Sequence, residues 1–292
     1  MSNAEQIEYW NSKVGDTWAR MQDRLDRAFT PVTAALLSVA APQPGEFVLD
    51  VGCGSGETTL ALASAVGDEG GALGVDISEQ LLARARSRAE DLLSNAEFRD
   101  VDAAVFNDDG DFDLIISRFG VMFFDDPIAA FTNLHRLAAP SGRIVFACWQ
   151  PPAENLWATL PMQALAALIP EMPVGDLLAP GPFAFADPAR VDAILAAAGW
   201  HDIVFDDLPF AMVIGDGDDP LAAAVHFNLR IGPAARAIRD AGVAAETAAP
   251  ALLAAALVPF LGDDGVALPG AIWLVSARAT PGTEASGDIT GA

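Results

Sequence analysis

Three glycines at alternate positions, Gly52, Gly54 and Gly56, follow directly on Asp50 and precede Glu57. The apolar run Phe47-Val48-Leu49 leads in, and Thr58-Thr59-Leu60-Ala61-Leu62-Ala63 leads out with helical character. That is a strand, a tight turn and a helix, the opening of a nucleotide-binding α/β unit. Glycine serves where backbone must take positive φ or approach a ligand without an intervening Cβ. A pyrophosphate site uses G-x-G-x-x-G, with the phosphates on the helix N-terminus. Here the third glycine comes one residue early, and the carboxylates of Asp50 and Glu57 flank the loop. They would repel a pyrophosphate and suit a ligand that carries positive charge and no phosphate.

Asp76 ends the second apolar run, Ala72-Leu73-Gly74-Val75, twenty residues past Gly56. An acid at that distance can accept hydrogen bonds from ribose hydroxyls. S-adenosylmethionine (SAM), with its sulfonium and ammonium, meets both demands. The pattern resembles the class I SAM-dependent methyltransferases, whose nucleotide loop is an acid followed by G-x-G-x-G. In that family a further acid after the third strand lies near the adenine amino group, and Asp102 takes that place. The resemblance covers about residues 45–150. It implies a cofactor site of Asp50, Gly52, Gly54, Gly56, Asp76 with Ile77, and Asp102 with Ala103. Arg118-Phe119-Gly120-Val121-Met122-Phe123-Phe124 and the strand ending Cys148-Trp149-Gln150-Pro151 are similar to a bacterial small-molecule branch, close to the quinone C-methylating enzymes.

The elements that must position these residues follow. Phe112–Ile116 reads as a buried parallel strand running out into Ser117-Arg118-Phe119. Ligands in open α/β sheets bind beyond such carboxyl ends, so Ser117 and Arg118 belong beside the cofactor and Phe119 beside the acceptor. Arg118 is equally suited to holding a carboxylate or pairing with a neighbouring acid. Residues 5–29 read as helical and aromatic. In related methyltransferases such an arm covers the cofactor, which places Trp18 near the cofactor and Tyr9 near the acceptor; plain packing is the competing role. Pro31 to Ala40 reads as a second helix. Residues 151–187 form a cap insertion; Trp149 just before it, with Asn155 and Trp157 within it, either line an acceptor pocket or pack. Residues 215–268 form a second, Ala-rich insertion of three helices.

On the first of those helices, Asp219–Arg230, Leu221, Val225, Asn228 and Leu229 share one face. Ala222, His226 and Arg230 share another. The first is expected to pack. The second offers an imidazole to take an acceptor's proton and a guanidinium to hold an anionic group, unless it is only a solvated face. His226 and Arg230 are thus the candidate catalytic pair.

The expected architecture is a doubly wound, seven-stranded, mostly parallel Rossmann-like α/β sheet with helical cap insertions. The resemblance implies an antiparallel last strand. A helical arm (1–41) precedes the SAM-binding core (42–150). The first cap (151–187), the rest of the core (188–280) and a disordered tail (281–292) follow. Hydrophobic residues make up 52% of the 292, enough for a sizeable core. Acids outnumber bases 40 to 16, a net charge of −24, which argues against nucleic acid as partner. Cys53 and Cys148 make no disulfide framework and read as small buried residues of a reducing cytoplasm. The polar, acidic start is unlike a signal peptide, and prolines interrupt the apolar runs short of a membrane span. The acid-rich run 107–111 lacks the ligand spacing of a calcium loop, and no metal site is expected. Oligomeric state is not legible.

The reading is a methyltransferase acting on a small, largely apolar or aromatic metabolite. A non-catalytic SAM-binding module remains open, because methyl transfer leaves no fixed catalytic motif. The loop spacing disfavours an NAD(P)-dependent oxidoreductase.

Overall fold

The computed structural model describes residues 3–109, 111–169 and 176–280. The expected tail and the middle of the first cap lie outside them. The arm comprises α1 (Asn3–Trp10), α2 (Lys13–Arg20) and α3 (Gln22–Ala40). The core continues with β1 (Phe47–Val51), α4 (Glu57–Val66), β2 (Gly71–Asp76), α5 (Glu79–Asp91), β3 (Glu97–Asp100), β4 (Phe112–Arg118), α6 (Pro127–Leu137) and β5 (Ala138–Trp149). Next come α7 (Leu156–Leu165), α8 (Pro188–Ala197), β6 (His201–Gly215), α9 (Pro220–Asn228), α10 (Gly232–Ala241) and α11 (Val243–Leu257). The two-residue β7 (Leu261–Gly262) and the long β8 (Gly265–Arg278) close the chain.

One sheet runs β3-β2-β1-β4-β5-β8-β6, and β7 pairs with β8 off this path. The short β7 makes eight strands where seven were expected. β1 to β5 are parallel, whereas β8 is antiparallel to both β5 and β6. The parallel centre must be covered on both faces, so β4 and β5 read as unbroken apolar runs. Leu114, Ile115, Ile116, Ile144, Phe146 and Ala147 are fully buried. Strand order reverses between β1 and β4. The crevice beyond their carboxyl ends is the fold's ligand position.

Where two helices were expected before β1, there are three, and α3 runs unbroken through Pro31. Proline removes one helical hydrogen bond. Burial compensates, because Leu25, Ala28, Phe29, Val32 and Leu36 recur every three or four residues against β4, β5 and β6. Gln22, Asp26 and Phe29 are thereby held over the crevice.

The second insertion forms the expected helices, packed on each other and on α7. The face of α9 expected to pack does so, with Asn228 buried and Leu221, Val225 and Leu229 partly buried against the core, and Ala224 and Phe227 are buried beside it. Val243–Phe260 is long and apolar enough, by length and composition, to cross a membrane, which corrects the expectation that no run reaches that length. Here α11 turns Ala245, Ala249, Leu253 and Leu257, spaced by four, into the cap.

Candidate functional site

A cavity of about 800 Å³ runs from the glycine loop to the caps. Its floor is built by close backbone packing. Gly52 has φ +68°, and a Cβ on it would lie 2.7 Å from Gly120 Cα. The loops after β1 and β4 therefore touch where no side chain fits. Gly56 also serves packing: a Cβ there would meet the Phe98 ring at 2.8 Å. Gly54 differs. Its φ is +54°, and a Cβ would meet nothing within 4 Å, because the loop there faces the open cavity.

The acids divide the same way. Asp76 lines the cavity; its Oδ2 accepts the Gly54 N–H (2.8 Å) and its Oδ1 accepts the Ser78 N–H (2.9 Å). With Ile77 N–H as a third backbone donor, the carboxylate still has acceptor capacity for a ligand. Burial raises its pKa against the lowering effect of those backbone N–H groups. Ile77, Asp102 and Ala103 line the same end, and Asp102 Oδ2 accepts from Asn3 Nδ2 at 2.5 Å. Asp50, expected at the cofactor, is 1% exposed and does not reach the cavity wall. Its Oδ2 accepts from Thr58 (2.5 Å) and Thr59 (2.6 Å), which ties the start of α4 to the end of β1. Burial, only partly offset by those hydroxyls, raises its pKa.

Ser117 also leaves the site. It is fully buried, donates to the Val51 carbonyl (2.7 Å) and accepts the Gly120 N–H (3.1 Å), locking the two loops together. Arg118 lines the cavity and pairs with Glu57 and with Thr33 Oγ1 (2.7 Å), its guanidinium 5.4 Å from the Phe29 ring centre. Phe119 is a non-glycine residue at φ +69°. Its N–H bonds Ala147 O at 3.1 Å, and its ring stacks on Trp149 at 4.4 Å with 4° between planes. Such strain persists only where the surroundings fix it, and it aims this ring into the cavity.

The arm closes the near side. Tyr9, Trp10 and Trp18 line the cavity, with Trp10 edge-on to Trp18 and to Phe123. Asn11 Nδ2 donates to Ile77 O (2.7 Å) and Ser78 Oγ donates to Trp10 O (2.9 Å), fastening the arm beside Asp76. Gln6 is 1% exposed and lines the cavity, yet neither of its amide atoms has a partner; Ser55 Oγ, also at the wall, is likewise buried and unpaired. Buried polar groups normally have partners, so these orphans point to a ligand's polar edge. Asn3 and Gln6 lie three apart on α1, which puts the Gln6 amide one helical turn from the Asn3–Asp102 bond.

On the far side Trp149 meets Trp157 at 4.7 Å and Phe210 at 6.0 Å. Asn155 is structural: its side chain binds the carbonyls of Gln150 and Ala271 and takes N–H bonds from Ala271 and Trp157. Arg230 lines the cavity, but His226 is exposed and does not. Of the expected catalytic pair, Arg230 alone is at the cavity wall. Burial of its ring, then Arg230 and Arg24, lowers the His226 pKa. Cys53 lines the loop, but burial, then Asp76 and Asp50, push its thiol well up, so it offers no nucleophile.

Residues 48–142 match the family model for a methyltransferase domain. Over that stretch the core is similar to methyltransferase domains. A nocamycin O-methyltransferase from Saccharothrix syringae is 34% identical over 173 residues, covering 58% of this chain and 59% of that one. A demethylmenaquinone methyltransferase from Shouchella clausii is 38% identical over 105 residues, covering 35% of this chain and 45% of that one. The chain thus spans about half the length of the curated relatives it matches. A magnesium protoporphyrin IX methyltransferase from Synechocystis, solved with bound SAH, superposes with a TM-score of 0.52 at 22% identity, over 72% of this chain and 93% of that one. It shares the fold.

The cavity is completed by wall residues that sequence reasoning missed. Gln22 and Asp26, one turn apart on α3, line the cavity. Gln22 Nε2 and Arg88 (2.9 Å) both donate to Asp26 Oδ2. Burial, then the charge of Glu57, raise the Asp26 pKa to about 6 despite Arg88. The signal was a polar pair at spacing four on the face where Leu25 and Phe29 point inward.

Proposed function

We propose that the protein transfers a methyl group from SAM to a small, largely apolar or aromatic acceptor. The observation that carries this reading is one cavity with two chemically distinct ends. The loop end offers Gly54 backbone, the remaining acceptor capacity of Asp76, and the polar pair of Gln6 and Asp102. The cap end offers Phe119, Trp149, Trp157 and Phe183. A volume of about 800 Å³ lies toward the upper part of the range of about 300–1,000 Å³ for small-molecule sites. It leaves room for two ligands end to end.

The residues fit the cofactor. Asp76 would hold the ribose hydroxyls. Gln6 and Asp102 would read the adenine edge as donor and acceptor. Gly54 would let the loop backbone close against the ligand, and Trp18 would cover it. When bound, the cofactor supplies a sulfonium methyl, electrophilic toward an acceptor nucleophile. The chain's own task is then alignment and exclusion of water. The stacked Phe119–Trp149 pair forms a flat, rigid wall for an aromatic acceptor, and Tyr9 closes over it from the arm. Arg118 is committed to Glu57, so it orders the wall instead of holding a free carboxylate. The exposed His226 gives no support to a general base on α9. The cofactor site is expected to work without a metal; among the described residues no cluster of His, Cys, Asp and Glu has a ligand arrangement. Two free, buried cysteines suit a reducing compartment such as the cytoplasm.

The test has two stages. Calorimetry should show that S-adenosylhomocysteine (SAH) binds and raises Tm while NAD does neither. An acceptor screen coupled to SAH release should then find turnover with apolar or aromatic metabolites. Protection by NAD in place of SAH would return the protein to the oxidoreductases. SAH binding without turnover across the screen would favour a non-catalytic module.

A further inference from the structure

The bases of this acidic chain are mostly spoken for. Among the described residues Arg20, Arg27, Arg84, Arg86, Arg88, Arg99, Arg118, Arg143 and Arg236 each lie within 4.0 Å of a carboxylate. Arg230 and Arg239 have neither ion pair nor side-chain hydrogen bond there, and both line the cavity at its cap end. Arg236 stands between them on α10, and its partner Asp240 is 3.8 Å away on the solvent side. With 40 acids against 16 bases, an arginine has carboxylates in ample supply. Two that find none, on one rim of one cavity, make a local positive field on a molecule of charge −24.

A second observation points the same way. Arg24, on α3 across from α9, has a buried Nη1 with no hydrogen-bond partner. It and Arg230 both act on His226 strongly enough to lower its pKa. Arg24 and Arg230 thus add positive charge around His226, beside the cavity wall that Arg230 and Arg239 line. Among the described residues that line this part of the rim, the acid is Asp176, whose Oδ1 accepts the Leu178 N–H at 2.9 Å. Inside the rim the wall is apolar, with Trp157, Met162, Phe183 and Ile231.

We propose that the acceptor is an apolar or aromatic acid, whose anionic oxygen group docks on Arg230 and Arg239 while its hydrophobic body lies between the cap aromatics. This rests on the reading of the cavity as cofactor and acceptor chambers. Arginine suits the task, because its planar fork matches a carboxylate or similar oxyanion with two parallel N–H bonds. An exposed rim also steers an anion toward the cavity mouth through a field that salt screens.

The experiment uses two dyes that share one aromatic skeleton. 8-Anilino-1-naphthalenesulfonate carries the anion, and N-phenyl-1-naphthylamine lacks it. Fluorescence titrations are run on the full chain and on an Arg230→Ala/Arg239→Ala variant, with and without SAH. The wild type should prefer the sulfonate, and the preference should shrink as salt rises. The variant should lose at least tenfold in sulfonate affinity and keep its affinity for the neutral dye. An Arg230→Lys/Arg239→Lys variant should recover most of the loss. SAH affinity by calorimetry should not change in either variant. Equal losses for both dyes, or no loss for either, would overturn the proposal. Failure of the wild type to bind SAH would instead overturn the methyltransferase reading, and the titrations without SAH would still judge the rim.

Discussion

Replacing Asp76 tests the cofactor end of the cavity most directly. Its two oxygens already accept backbone N–H groups, from Gly54 at 2.8 Å and Ser78 at 2.9 Å. Asparagine would therefore be a poor control, because its NH2 would face one of these donors. Asp76→Ala is cleaner, although it also frees the Gly54 N–H. Hydrogen bonds to a charged group contribute about 1.5–3 kcal/mol each. Losing both ribose bonds then costs about 3 kcal/mol at the low end, roughly a hundredfold in Kd. Loop loosening alone would weaken every ligand equally, so the assay is a cycle. Calorimetry compares 5′-methylthioadenosine with its 2′-deoxy analogue, on wild type and on Asp76→Ala. The wild type should lose affinity when the hydroxyl is removed, and the variant should not. If the variant discriminates the two ligands as the wild type does, Asp76 does not hold the ribose, however much its overall affinity has fallen.

Gly54→Val should abolish SAH binding, because it places a branched side chain at φ +54° where the loop faces the cavity; normal binding by calorimetry would move the cofactor elsewhere. Gly52→Ala should act on the fold instead, lowering Tm, because its Cβ would lie 2.7 Å from Gly120 Cα. Asp26 gives a pH signature. Its carboxyl is raised from an ordinary 3.8 to about 6, so its contribution to stability is present below the unfolded value and lost as pH rises through about 6. The Tm of the wild type minus that of Asp26→Asn should accordingly fall between about pH 4 and pH 7, and a flat difference would show that the carboxyl titrates normally. Turnover should survive EDTA; loss that magnesium restores would reveal a metal-assisted mechanism.

The sequence carried the sheet and the loop because both depend on short-range signals. Apolar runs ending in Asp50, Asp76 and Arg118, broken by glycine turns, set the strands and their carboxyl ends. It did not separate ligand-facing positions from packing positions within one motif. Gly54 and Gly56 look alike in the chain, yet a Cβ on one would meet open space at the cavity and on the other the Phe98 ring, away from the cavity wall. Asp50 and Asp76 both end strands, yet Thr58 and Thr59 hold one beneath the loop and only the other reaches the cavity.

The α9 helix shows the same limit at longer range. Hydrophobicity pointed to Leu221, Val225 and Leu229, which do pack partly buried against the core. The deepest positions are set by size. Where α9 crosses the end of β6, a Cβ on Gly215 would lie 2.6 Å from Ala224 N and 2.7 Å from Ala224 Cβ. Backbones that close admit only a small residue between them, so Ala224 faces inward. Phe227 and Asn228 follow at the next turn, and Asn228 Nδ2 is satisfied by the Ala224 carbonyl at 2.9 Å. His226 is then carried outward by the geometry of the helix. Arg230 lies two residues past the end of α9, in the turn before α10, so the helix does not dictate its direction. That is why, of a neighbouring pair at spacing four, only the guanidinium reaches the cavity wall.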